Sequence, residues 1–171
     1  MHLSKLVSAA LIATAFAATP ALAQESATLK KAKETGALTL GHRESSIPFS
    51  YYNDQQQVIG YSQELMQKAV DGVKEQLKLA KLDTKLMPVT SANRITLVQN
   101  GTVDIECGST TNNLERQKQV GFSTTMFIIG TRLMTKKDSG IKDFPDLAGK
   151  NVVTTAGTTS ERLLRKMNEE K

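Results

Sequence analysis

Apolar and polar positions change rhythm several times along the chain, and the first change is the sharpest. Residues 1–23 carry one cation, Lys5, then an apolar stretch from Leu6 to Ala18, and close on Ala21-Leu22-Ala23. A short positive start, an apolar centre and a small-x-small ending form the pattern of a cleavable export signal, with cleavage after Ala23. The stretch of about 13 residues is shorter than the roughly 20 a helix needs to cross a bilayer. No second stretch of spanning length follows, so the expected product is an exported, soluble protein.

From residue 24 the pattern becomes that of a globular chain. The polar, Lys-rich "TLKKAKETG" predicts a short helix stopped by Gly36, and "ALTLGH" (37–42) a short strand. A polar segment with aromatics follows, broken at Pro48 and at Asn53-Asp54, a pair suited to a turn. Leu65, Met66, Ala69, Val70, Val73 and Leu77 then recur at helical spacing, which predicts an amphipathic helix from Tyr61 to about Leu79. Residues 84–89 read as a strand and "SANRITLVQNG" as a two-turn helix, capped by Ser91 or Asn93 and ended by Asn100-Gly101. "VDIECG" (103–108) fits a strand and "NNLERQKQ" a helix. The long apolar run 126–135 predicts another strand, followed by a loop, "NVVTTAG" as a strand, and a last helix in "TTSERLLRKMNEEK". Strands alternating with helices predict an α/β architecture with a mainly parallel sheet.

Composition adds limits. With 39% apolar and 23% charged residues among 171, the chain reads as an ordinary globular protein whose core is aliphatic. Removing the leader takes away one lysine and no acid, lowering the formal charge from +5 to +4. The cations are dispersed, without interleaved aromatics, which argues against a nucleic-acid surface. The single cysteine, Cys107, either stays free and buried or expects a partner outside this chain.

Candidate chemistry collects where strands should end. In open α/β sheets ligands bind at the carboxyl ends of strands, beside the helix starts that follow. Arg43 follows the first strand, Ser91 and Arg94 the second long one, and Gly108, Ser109, Thr111 and Arg116 the next. Gly157, Thr158 and Thr159 follow the last. Asn112 with Glu115 reads as a capping pair, and Thr158 with Glu161 as a capping box. Helix starts favour anions over cations, so Arg94 and Arg116 gain if an anion lies between them and the helix amides. Taken singly, each hydroxyl reads equally well as a plain cap and each arginine as a solvated one. Jointly, they indicate a site for a small ligand with more than one carboxylate. Hydrolase, zinc-peptidase, paired-cysteine and nucleotide-loop motifs are missing from the sequence. His42 reads as structural, Cys107 has no evident base, and Glu106 reads as a structural carboxylate at a strand end. Neither a catalytic set, nor a metal site, nor a cofactor site is expected.

"GHRESSIPFSYYN", "GYSQELMQKAV", "VTSANRITLVQNGTVDIECGSTTNNLERQKQVGFS" and "GTRLMTKK" resemble the acidic-amino-acid members of the polar-amino-acid group of ABC-transporter solute-binding proteins. The resemblance runs from about Leu29 to Lys171. It implies a periplasmic-binding-protein type II fold, a two-lobed Venus flytrap that closes on an amino acid without catalysis. By that resemblance Arg116 clamps the ligand α-carboxylate, with Ser109 and Thr111 around the amino-acid head. Arg43, Ser91 and Arg94 hold the side-chain carboxylate, and Thr159 closes from the second lobe. The implied partners are L-glutamate or L-aspartate and an inner-membrane ABC permease complex, with the protein itself a monomer in the periplasm. Family members are longer, so the expected division is lobe one over 24–130 with its sheet incomplete, a crossover at 131–136, and the start of a truncated lobe two at 137–171. An acidic residue for the ligand ammonium and a partner for Cys107 would lie downstream. An enzyme on the same fold, such as a cyclic amino-acid dehydratase, and a non-functional fragment are the alternative readings.

Overall fold

The computed structural model describes residues 26–170, so the expected export signal and cleavage site lie outside the described residues. The first helix, α1 (Ala27–Thr35), starts at Ser26, whose hydroxyl accepts the Leu29 amide at 3.1 Å. It stops at Gly36, which takes the left-handed conformation (φ 65°) and returns its N–H to the Ala32 carbonyl, as the glycine stop predicts.

The centre of the fold is β1 (Ala37–His42). It pairs in parallel with β5 (Asp83–Pro88) on one side and β6 (Ile105–Glu106) on the other. Leu38 and Leu40 of β1 are buried with Ala32 of α1 and with Met66 and Val70 of the long helix α2 (Tyr61–Gln76). Val73, Leu77, Leu82, Ile105 and Cys107 close around them. Fully burying a Leu, Met or Val side chain, as at Leu38, Leu40, Met66 and Val70, contributes about 1.5–3 kcal/mol. One carboxylate fastens three elements. Asp104 accepts the Thr39 amide at 2.7 Å and the Lys31 ammonium at 2.7 Å, and its own N–H bonds the Thr39 carbonyl.

Between β1 and α2 the chain forms a small antiparallel meander, β2 (Ser45–Ser46), β3 (Ser50–Tyr52) and β4 (Val58–Ile59). Its strands are two or three residues long and rich in serine, so no alternation marks them in the sequence. The expected turn at Asn53 is present, with its side-chain oxygen accepting the amides of Gln55 and Gln57. Gly60 (φ 121°) brings the start of α2 against this meander. A side chain there would stand 2.5 Å from the Phe49 carbonyl oxygen, the group that accepts the Ser62 amide.

Two expected strands are corrected. Residues 126–135 and 151–155 form no strand and 156–157 form a turn, leaving Ile128, Ile129, Met134 and Val153 exposed. Apolar character does not make a strand by itself. Its hydrogen bonds come from a neighbour, and among the described residues none runs alongside either segment. What holds the first is aromatic: Phe127 meets Phe49 and Tyr61 edge-on, and the Tyr61 hydroxyl donates to the Met126 carbonyl at 3.2 Å. The strand expected over 103–108 contracts to Ile105–Glu106.

The helix starts are also refined. In α3 (Arg94–Gln99) the Asn93 side chain accepts the Thr90 amide instead of capping the helix, and Ser91 is buried in the loop before it. In α4 (Leu114–Gln117) the cap is Asn113, not Asn112, its oxygen accepting the Arg116 amide at 3.0 Å. In α5 (Thr159–Glu169) Thr158 caps the Glu161 amide, while the Glu161 carboxylate reaches past it to the Gly157 amide. Among the described residues no helix is long and apolar enough to cross a membrane.

Candidate functional site

Parallel pairing puts the carboxyl ends of β5, β1 and β6 side by side, so the segments that leave them meet. From β5 the chain runs through Ser91 to Arg94, from β1 it reaches Arg43, and from β6 it runs through Gly108 and Ser109 to Arg116. Buried hydroxyls pin these exits. Ser50 accepts the Arg43 amide at 2.9 Å, and Ser62 donates to the Gly108 carbonyl at 2.8 Å.

Arg94 is buried, and its Nε and Nη1 have no hydrogen-bond partner. Its Nη1 lies 4.0 Å from Glu106 Oε1, a carboxylate oxygen that is itself buried and unpartnered. Burial lowers the Arg94 pKa to about 10; Glu106 opposes that shift, and the positive fields of Arg116 and Arg43 add to it. Two further arginines thus act on the buried Arg94. Burial also lowers the pKa of Arg116, with Arg162 acting in the same sense and Glu106 against it.

The segment 155–159 closes over this group. Arg116 donates through Nη1 to the Thr111 carbonyl at 3.0 Å and through Nη2 to the Gly157 carbonyl at 3.1 Å. Thr111 Oγ1 and Thr159 Oγ1 are 3.3 Å apart. Gly157 (φ 76°) packs so closely on the Ser91-Ala92 backbone that a side chain would stand 2.5 Å from the Ala92 Cα. Ser109 donates to the Ser46 hydroxyl at 3.3 Å. A cleft of about 420 Å³ opens between Arg43, Ser45, Ser91, Ala92, Thr155 and Ala156. Of the seven residues singled out in the sequence, Arg43 and Ser91 line this cleft, Arg94 lies buried at the start of α3, Thr111 and Thr159 touch each other, Arg116 reaches the Gly157 carbonyl, and Ser109 turns to Ser46.

A larger hollow of about 620 Å³ lies at the outer edge, lined by His42, Tyr52, Leu86 and Pro88 among others. It contains no arginine, and His42 is occupied structurally, with Nδ1 3.0 Å from the Arg43 carbonyl and its ring edge-on to Tyr52. The arginine cluster is the chemically distinctive place. Guanidiniums and hydroxyls bind anions. Burial, and then Glu106, push the Cys107 thiol up to about 11, which keeps it protonated near neutrality. Among the described residues no group of three or more His, Cys, Asp or Glu side chains is placed to hold a metal ion. Glu106 reads from the sequence as a structural carboxylate at a strand end; the fold sets it 4.0 Å from Arg94.

Residues 38–170 match the model of the bacterial extracellular solute-binding proteins, family 3. The chain is 57% identical to the glutamate/aspartate import solute-binding protein of Salmonella typhimurium, over 99% of this chain and 58% of that protein. It is 60% identical to the L-glutamate/L-aspartate-binding protein of Pseudomonas aeruginosa, over 97% of this chain and 55% of that one. The chain therefore spans a little more than half the length of these curated relatives. A crystal structure of a mutant ArgBP from T. maritima shares the fold with a TM-score of 0.72 at 24% identity, covering 82% of this chain and 59% of that one. The architecture is accordingly α/β of the periplasmic-binding-protein type II class, of which these residues form a part. The chain belongs to the bacterial extracellular solute-binding proteins of family 3.

Proposed function

We propose that the protein carrying this chain captures L-glutamate or L-aspartate in the periplasm and delivers it to an inner-membrane ABC permease, without catalysis. The observation that carries this reading is the buried Arg94 with two unpartnered nitrogens, set beside Arg43 and Arg116. Such a cluster calls for more than one carboxylate. The printed names of the two bacterial relatives, at 57% and 60% identity, support the same ligand class.

In this reading Arg116 holds the α-carboxylate, with Ser109 and Thr111 at the amino-acid head. Arg43, Ser91 and Arg94 hold the side-chain carboxylate, and Thr159 closes over the ligand. Residues 24–130 belong to one lobe, 131–136 to the crossover and 137–171 to the second. A unit-charge pair 4 Å apart is worth about 4 kcal/mol at an effective dielectric of 20, so a carboxylate lost from the ligand is felt strongly. Arg116 serves the part common to all amino acids, and Arg43 the part specific to acidic ones. The test uses the full-length protein and thermal shift with each ligand. Arg116→Ala should abolish the response to L-glutamate and L-aspartate. Arg43→Ala should weaken it by more than about tenfold while narrowing the gap to L-glutamine. Normal binding by Arg116→Ala would show the head-group assignment to be wrong.

A further inference from the structure

Glu106 stands apart from the usual pattern of a buried acid. Two residues earlier, Asp104 makes a closed pair with Lys31 at 2.7 Å and satisfies the Thr39 amide as well. Glu106 faces Arg94 at 4.0 Å, without a hydrogen bond, and leaves its own Oε1 and the arginine Nη1 unpartnered. The stand-off is built into the site. Thr110 holds Oε2 from the other side at 2.6 Å. Gly41 makes room for the stem, since a side chain there would lie 3.3 Å from Glu106 Cγ. Gly108 makes room for the head, since a side chain there would lie 2.8 Å from Oε1. Two missing side chains and one hydroxyl thus fix a carboxylate close enough to act on the arginines, yet too far to occupy them.

We infer that Glu106 is an internal counter-charge that tempers the affinity of the arginine cluster and sets how many ligand carboxylates it takes. The inference rests on the ligand reading above. In the empty site Glu106 offsets part of the charge crowded at Arg94, while the unpartnered nitrogens stay available. When a ligand brings its own carboxylates, Glu106 repels them, which limits tight binding and favours release. Each ligand carboxylate feels that repulsion, so an acidic amino acid feels it more than its amide.

The test compares the full-length protein with Glu106→Gln by calorimetry against L-glutamate, L-aspartate and L-glutamine. The variant should bind both acidic ligands at least about tenfold more tightly, change less toward L-glutamine, and melt at a lower temperature when empty. Glu106→Asp, which withdraws the carboxylate by one methylene, should move in the same direction by less, and it serves if the Gln variant does not fold. Unchanged binding, or weakening that is equal for acid and amide ligands, would overturn the inference and leave Glu106 a structural residue. Sulfate at constant ionic strength separates this inference from the ligand reading. A larger thermal stabilisation by sulfate in Glu106→Gln than in the parent, with no glutamate binding in the parent, would sink the ligand reading and keep the role of Glu106. Equal sulfate responses would sink that role.

Discussion

The guanidinium of Arg94 is expensive where it sits. Burial pulls its pKa down from the ordinary guanidinium range to about 10, so the folded site disfavours the charged form. The sign follows from proton counting. From about pH 10 up to the ordinary guanidinium range the unfolded chain binds more protons at this group than the folded one, so stability rises with pH only across that window. Below pH 10 the cost is present in full, and at neutral pH the arginine stays charged. Glu106 offsets part of it, and a bound anion would offset more. Replacing a buried ion pair by neutral groups of similar volume is often neutral or stabilising. The double variant Arg94→Met/Glu106→Gln should therefore melt at or above the parent at pH 7 in a calorimetric scan, and bind no acidic ligand. A large drop in melting temperature would mean the pair is structural. The three arginines were legible in the sequence because charge and strand-end position coincide there. The role of Glu106 was not, because it depends on Gly41 and Gly108, which strand pairing and the loop after β6 bring to it.

At the scale of elements, two signals in the sequence were reliable: helical periodicity in α2 and the capping chemistry at α1 and α5. The serine-rich meander was hidden because two-residue strands show no period. Residues 126–135 and 151–157 were over-read because apolar runs resemble strands whether or not a neighbour exists to bond them. The caps also carry a prediction. Thr158 accepts the Glu161 amide at 3.1 Å and donates to the Thr155 carbonyl at 2.7 Å. Thr158→Ala should destabilise α5 by about 1 kcal/mol and speed hydrogen exchange at the Glu161 amide, while leaving amides in β1 protected. Slowed or unchanged exchange at Glu161 would show that the cap does not hold this helix. Because α5 begins at Thr159, which touches Thr111, the same change should loosen the closing segment.

At the scale of the molecule, one arrangement joins the sheet ends to the segment that folds over them. Arg116 bonds both the Thr111 and the Gly157 carbonyls, and Gly157 rests on Ala92, so the cleft has walls from chain regions about 40 residues or more apart. A ligand placed there would meet the Arg43 guanidinium and the Ser45 and Ser91 hydroxyls, and excluding water would strengthen each charge pair. The family assignment fixes the kind of protein, and the arginine cluster argues for the kind of ligand. The most direct test is isothermal titration of the full-length protein with L-glutamate and then, separately, with L-glutamine. The account predicts saturable one-site binding of L-glutamate and a dissociation constant for L-glutamine at least about 100-fold weaker, since the amide leaves buried arginine nitrogens without a carboxylate. Equal affinity for the two ligands would contradict it.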